Sequence, residues 1–518
     1  MSYIVEQKIK GKIYLYEVTS YWDKSKKQPR QRRTYIGPKE DQNKPKTKPK
    51  RTKLITKSYG NILLFNVIAK RLGLTELLKK HYPNNYREIL ALAYYEIMEG
   101  AVLYLFPYWL DEHYLPRVKK LYSPTISTLC DELGRSQEKR HLFNKEWINR
   151  LKPIKGIYYD ITSISSYSTN IDFIEWGYNR DQESLPQLNM GVVFSQTHEL
   201  PIYYQIYPGS IVDVTTLKNC IAYLNAFHLK NILVVLDRGF FSKTNIAELN
   251  KEANAITFIQ PLPFRLKSVK ALIRKNKKHL KGAPCAFKYN QEVLYYLREK
   301  LVVDDISFDT HMYFNEKAEV DQRHQLLLRL LDIEQKFENK KFETLKAYLR
   351  YKNENISEKY RPYFKWNKKT LFIEKNNKKL RSALMSMGFF LLMTNEQLLE
   401  KSVVLEYYRR KDSIEKIFDT VKNEMDGDRL RAHDNYINDG RLFINFLSLI
   451  IHTEIANIMR KKKLFEKYSL KELCLELKKI KITTIENQDP IVSELTKKHK
   501  TILEHFEIKQ EDLLQHSY

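Results

Sequence analysis

Three acidic residues stand where a chain could carry out metal-assisted chemistry on a phosphate. Asp160 ends the run Tyr158-Tyr159-Asp160, and Asp237 follows the wholly apolar Ile232-Leu233-Val234-Val235-Leu236. A carboxylate at the carboxyl end of a central strand faces the crevice where α/β sheets bind ligands. A buried carboxylate with no partner is costly, so such a residue carries a counter-charge or a metal. A cap or an ion pair at the sheet edge is the plainer alternative for each. The third acid, Glu415, lies in a helical stretch in which Tyr408, Lys411, Glu415 and Lys422 stand at offsets 0, 3, 7 and 14. At about 100° per residue these four share roughly 60° of arc. Ile414, Ile417, Phe418, Val421 and Met425 cover the adjacent arc and would dock the helix on a sheet. An exposed edge with a weak Lys411–Glu415 pair is the alternative.

Together the three acids suit a hard divalent cation such as Mg²⁺, which takes oxygen ligands and keeps positions open for phosphate. Two such ions would activate a water or a 3′-hydroxyl and stabilise the leaving oxygen of an in-line displacement. A carboxylate site accepts Mn²⁺ as well. The chain has no Gly-Lys-Ser/Thr phosphate loop, no His-Glu-x-x-His and no Gly-x-Ser-x-Gly.

The elements that must position these acids read as an α/β layer pattern. Strands are expected over 154–161, 188–194, 200–207, 232–236 and 255–260, with helices over 214–229 and 242–252. Ahead of them, 1–57 reads as a small β unit, with strands at Lys12–Val18 and Gln31–Gly37, followed by a basic linker. Residues 58–150 have helical periodicity. After the layer pattern, 264–398 reads as an insertion, with strands near 293–297 and 369–374 and one charged helix over 325–351. Residues 399–460 return to helix, with 443–459 apolar enough to be core, and 461–518 form a tail of short amphipathic helices.

Charge points to the partner. The 518 residues carry 89 Lys+Arg against 62 Asp+Glu, a formal net charge of +27. From Lys24 to Lys57 there are 14 basic and 2 acidic residues, and Arg265 to Lys281 holds eight basic residues with no acid. Each cation that neutralises a phosphate releases counterions and adds affinity without reading sequence. A solvated surface is the bland alternative; two runs on so basic a chain favour nucleic acid. A hydrophobic fraction of 43% with 35 Tyr excludes wholesale disorder. No apolar run reaches the roughly 18–20 residues that span a bilayer, and Met1–Lys8 lacks a signal core. No membrane association and a cytoplasmic, nucleoid-associated location are therefore expected. Cys130, Cys220, Cys285 and Cys474 are too scattered for a disulfide framework or a zinc site.

With these residues in view, the chain resembles insertion-sequence transposases of the DDE type, in the group with a Tyr-Arg-Glu-Lys signature. The spacing from Tyr408 through Lys411 and Glu415 to Lys422 is that of the signature, with Lys411 in the Arg position. Lys keeps the charge but lacks the planar fork. Asp160-Ile161-Thr162 and Asp237-Arg238-Gly239-Phe240 are similar to the first and second aspartate motifs. Gly177-Tyr178-Asn179-Arg180-Asp181 with Pro186-Gln187-Leu188 is similar to the stretch before the second strand. Separations of 77 and 178 residues between the three acids fit a core interrupted by an insertion.

The resemblance implies an α/β fold with a ribonuclease-H-like core, an N-terminal β/helical DNA-binding region and a helical C-terminal region. It implies that Asp160, Asp237 and Glu415 hold two Mg²⁺ ions, with Mn²⁺ able to substitute. Tyr408, Lys411, Lys422 and Arg238 would contact DNA near the terminal phosphates, at a hairpin intermediate. The DNA would be the terminal inverted repeats of the element and then its target, with a dimer in the synaptic complex. An inactive, domesticated DNA-binding derivative and a ribonuclease-H-like nuclease without strand transfer are the competing functions.

Overall fold

The computed structural model describes residues 2–39, 54–100, 102–168, 170–178, 184–211, 213–251, 254–411, 429–430, 432, 434–486, 488–509 and 513. Glu415 and Lys422 lie outside the described residues, as do most of the expected basic linker and Asn179-Arg180-Asp181. The chain forms two compact units, 1–56 with 483–491, and 57–482 with 492–518.

The first unit is an antiparallel meander of β1 (Ser2–Ile9), β2 (Lys12–Asp23) and β3 (Gln28–Pro38). The sequence reading found shorter versions of β2 and β3 and missed β1. The reason is burial. Leu15 and Val18 are the buried apolar residues here, so β1 has almost no core face to impose an alternating pattern. The β1–β2 turn pairs Ile9 with Lys12 across Lys10 and Gly11, both at positive φ (50° and 82°). That is the two-residue turn whose twist matches its flanking strands.

The second unit follows β4 (Leu54–Ser58). It begins with six helices: α1 (Gly60–Leu72), α2 (Leu74–His81), α3 (Tyr86–Glu99), α4 (Phe106–Glu112), α5 (Ser123–Arg135) and α6 (Gln137–Arg150). Next come β5 (Gly156–Ser166), β6 (Gln187–Ser195), β7 (Leu200–Pro208), α7 (Asp213–Ala226), β8 (Ile232–Val235), α8 (Lys243–Leu249) and β9 (Ile256–Pro261). Each expected strand and helix of the layer pattern is present within a few residues. β8 is short, apolar and almost wholly buried, as a strand covered on both faces must be.

Residues 264–398 depart most from expectation. They comprise α9 (Lys267–Leu280), β10 (Ala286–Tyr289), β11 (Glu292–Val303), β12 (Ile306–Phe314), α10 (Glu316–Glu338), α11 (Leu345–Asn355), β13 (Phe364–Trp366), β14 (Ile373–Lys375), α12 (Asn377–Ser386) and β15 (Phe389–Thr394). Four of these strands extend the central sheet, whose order is β10-β11-β12-β15-β9-β8-β5-β6-β7. The expected single helix over 325–351 is two, because Thr344 caps a new start: its hydroxyl accepts the Ala347 N–H at 3.2 Å. The α10 residues Leu330, Ile333 and Phe337, with Tyr348, Ile356 and Phe364, form a small separate core.

Residues 401–411 are helical (α13). They are followed by β16 (Arg429–Leu430), α14 (Asn435–Lys461), α15 (Leu470–Leu477), β17 (Lys481–Ile485), β18 (Ile491–Val492) and α16 (Lys497–His505). The tail thus contains strands as well as the expected helices. One helix among the described residues, α14, is long and apolar enough to cross a membrane, against the expectation that no apolar run is; 83% of its most apolar window is buried inside the protein. It is a core helix, as its composition predicted. Its Ser448 hydroxyl donates to the Ala93 carbonyl of α3 at 3.1 Å.

α14 and α5 meet backbone to backbone. A Cβ at Gly440 would lie 1.9 Å from the Cys130 carbonyl oxygen, and one at Gly134 would lie 1.9 Å from that of Tyr436. No side-chain rotation relieves either clash. Gly440→Ala is therefore expected to push the two helices apart and cost about 2–3 kcal/mol, read as a lowered denaturation midpoint. An unchanged midpoint would mean that the helices do not pack this closely. Cys130, Cys220 and Cys474 are buried free thiols, and Cys285 is half-buried.

Candidate active site

The strand holding Asp160 does not end there. β5 runs on to Ser166, so Asp160 lies within the strand, correcting the expectation that it closes it. The neighbour ends instead. β8 pairs in parallel with Gly156–Tyr158 of β5, and β16 rejoins β5 at Ser165 and Ser166. Between them no strand among the described residues pairs with that flank of β5, and Asp160 lies in this stretch. Asp237 follows β8 after one further residue, is itself extended and opens the short 3₁₀ turn Arg238–Phe240. The two carboxylates therefore meet because two parallel neighbours stop at different lengths.

A cation joins them. The Lys411 Nζ lies 3.9 Å from Asp160 Oδ2 and 3.8 Å from Asp237 Oδ1. The Lys411 side chain is 3% exposed, against 19% for Asp160 and 46% for Asp237. The remaining Asp160 oxygen, Oδ1, accepts the Ile161 backbone N–H at 2.9 Å. The expectation put Lys411 on an open helix edge where it would grip phosphate. The structure instead buries it against the two acids, because Val404, Tyr408 and Lys411 share one α13 face and that face is turned inward. Tyr408 is half-buried on the same face.

The added strands hold α13 in place. The Tyr313 hydroxyl donates to the Lys401 carbonyl at 2.6 Å, and Lys401 Nζ lies 4.9 Å from the Phe287 ring. Arg409 pairs with Glu292 at 3.3 Å and lies 4.8 Å from the Tyr289 ring. These residues of β10–β12 position the helix that carries Lys411. The sequence reading assigned them no role, and no local signal marked them.

The same layer holds a buried imidazole. His311 Nδ1 is 3.0 Å from the Tyr296 hydroxyl, and burial pushes its pKa down to about 4. A folded-state value below the ordinary 6.5 means that the unfolded chain takes up the proton first. The corresponding stability is present above about pH 6.5 and is lost as the pH falls towards 4. His311→Asn is expected to flatten the decline of melting temperature between pH 7 and pH 5. Parallel curves for the two proteins would remove His311 as a cause.

The Gly-Tyr…Pro-Gln motif has a structural account. Gln187 Nε2 donates to the Tyr178 carbonyl at 2.7 Å. A Cβ at Gly177 would lie 1.9 Å from the Gly209 carbonyl oxygen, so this approach is open only to glycine. Asn189 was missed. It accepts from the Ser163 hydroxyl at 3.1 Å and donates to the Ile211 carbonyl at 3.1 Å, tying β5 and β6 to the loop after β7. Arg238, exposed and next to Asp237 in the chain, lies over the Phe264 ring, 5.2 Å from its centroid.

Among the described residues no group of three or more His, Cys, Asp or Glu converges as a metal site. The donors that do converge, Asp160 and Asp237, are hard oxygen ligands that already face one shared cation. That donor set fits a divalent metal ion, with Glu415 as the expected further ligand.

The family described as Transposase DDE domain matches residues 152–451. No curated protein matches the chain. Among solved structures, the piggyBac transposase synaptic complex with hairpin DNA aligns at a TM-score of 0.35 and 10% identity, covering 81% of this chain and 79% of that one. A likeness that low carries no argument here.

Proposed function

The chain belongs to the Transposase DDE domain family, and from that premise we propose that it is an insertion-sequence transposase that binds the ends of its own element, cleaves DNA and joins the freed 3′-hydroxyls to target DNA. The observation that carries the reading is the convergence of Asp160 and Asp237 on one buried ammonium group. Two acids that share one buried cation on a central strand support a role in phosphoryl transfer. The order β9-β8-β5-β6-β7, with β6 antiparallel and β8 parallel to β5, supports a ribonuclease-H-like core.

Asp160, Asp237 and Glu415 would hold the ions, Mg²⁺ or Mn²⁺. When bound, two such ions lower the pKa of the attacking hydroxyl and neutralise charge on the phosphorus oxygens. The chain's own part is positioning. β5 and β8 fix the two aspartates, α13 brings Lys411 to them, and Lys411 offsets their repulsion. Arg238, exposed and next to Asp237 in the chain, and Tyr408 and Lys422 would orient flanking phosphates. Lys411 faces the carboxylates in this arrangement, so neutralising them is its first task and phosphate contact its second. Pairing two DNA ends requires at least two copies in the working complex. The setting is the cytoplasm, on the nucleoid.

The test uses the full chain, Mg²⁺ and a duplex carrying the DNA that flanks the reading frame. Strand cleavage at the element ends followed by joining to a second duplex is the expected result. Cleavage that leaves only free ends would make it a nuclease. Specific binding with no nicking in Mg²⁺ or Mn²⁺ would make it a DNA-binding derivative.

A further inference from the structure

We propose that helix α9 is a track for the backbone of duplex DNA leading away from the carboxylate pair, an inference that rests on the reading of the chain as a DNA-cleaving enzyme. The helix is sharply two-sided. Val269, Leu272, Ile273, Asn276 and Leu280 are buried. Lys267, Lys270, Arg274 and Lys278 fall within about 80° of arc on the other side, successive cations being about 6 Å or less apart along the axis. Three of the four are exposed and Lys270 is half-buried.

The neighbouring acids are already taken. Glu299 of β11 pairs with Lys275 at 3.3 Å, and Glu319 of α10 pairs with Lys277 at 3.4 Å and Lys281 at 2.6 Å. These flanking lysines fasten α9 to the fold. Among the described residues no ion pair involves the four stripe cations. Two of the four, Lys267 and Lys270, sit at the start of the helix, where the macrodipole disfavours positive charge. Helix stability therefore does not account for them, whereas an external polyanion does.

The stripe also begins at the site. Phe264, three residues before α9, carries the Arg238 guanidinium on its ring, and Arg238 follows Asp237 directly. Arg238 thus links the second carboxylate to the segment that leads into the helix. The chemistry selects duplex over other polyanions. Single strands are gripped by aromatic stacking platforms together with charge, and the cation stripe of α9 has no Phe, Tyr or Trp. A membrane surface would need the apolar face free, and that face is buried in the core.

The experiment measures the salt dependence of binding of the full chain to a 40-base-pair duplex of arbitrary sequence, by fluorescence anisotropy, at about 50 to 200 mM salt. Each duplex phosphate neutralised contributes about 0.9 to the slope of log affinity against log salt. Exchanging Lys267, Lys270, Arg274 and Lys278 together for Gln is expected to reduce that slope by about 3.6. Arg274→Gln alone should reduce it by about 0.9. A comparison protein with Lys462, Lys467, Lys471 and Lys500 exchanged for Gln should keep the original slope. An unchanged slope in the stripe variant, or an equal fall in the comparison protein, overturns the track and leaves the enzyme reading intact. Failure of the unmodified chain to bind the duplex at any salt overturns both. A larger stripe effect on a single strand than on the duplex overturns the assignment to duplex.

Discussion

Asp160→Asn and Asp237→Asn should each lower the rate of Mg²⁺-dependent strand cleavage by at least about 10³-fold. The substitution keeps the shape of the side chain and removes its charge. What is lost is one of the two oxygen donors that converge at the end of β8, and with it the electrostatic basis for holding a divalent cation. DNA affinity should change little. Binding draws on basic residues rather than on these acids, and losing one carboxylate near DNA removes a repulsion. The decisive measurement is a single-turnover nicking assay with binding measured on the same duplex. Cleavage within about tenfold of the unmodified protein in either variant would remove that residue from the reaction. Loss of binding in parallel would instead mark a structural role.

The second large effect is expected at Lys411. Its ammonium is the counter-charge that the structure shows for both carboxylates, and it is nearly fully buried. Lys411→Met keeps the apolar stem and leaves the two acids facing each other. Removing one partner of a fully buried ion pair costs about 3–5 kcal/mol. Asp237 is half exposed here and both contacts are near 4 Å, so solvent screens much of the interaction. About 1–2 kcal/mol is the better expectation.

The sign of the metal response then separates two roles. If Lys411 offsets carboxylate repulsion, divalent cation should raise the melting temperature of Lys411→Met more than that of the unmodified protein, because ligand bound to the folded state stabilises it by mass action. Equal metal responses in the two proteins would refute the offsetting role. A variant that melts normally but has lost affinity for duplex would return Lys411 to the phosphate contact that its spacing suggested.

Local pattern carried far along this chain. The apolar run Ile232–Leu236 announced a doubly buried strand, and the residue after it was a candidate acid for that reason alone. The runs 188–194 and 200–207 announced β6 and β7, and the composition of 443–459 announced the core helix α14. These features are legible because burial on a regular element repeats at the period of that element. Where burial is slight, as in β1, the repeat is faint and the strand was missed. The strands of 286–314 were largely missed for another reason: they join a sheet built from residues far away in the chain, and no local period records a distant partner.

The chain's residues by themselves determined the types and order of the chemical groups: the aspartates Asp160 and Asp237, the lysine three residues after Tyr408, and the basic run that became α9. Only the tertiary structure decided their relations. It stopped β8 short of β5, with Asp160 beyond the stretch the two strands pair over. It turned the Lys411 face of α13 inward, onto the carboxylates. It spent Lys275, Lys277 and Lys281 on Glu299 and Glu319 and left the other α9 cations facing solvent. Periodicity sorts residues onto the faces of an element, because backbone geometry is local. Which face is buried, and which charge meets which, depends on elements that the chain brings together only on folding.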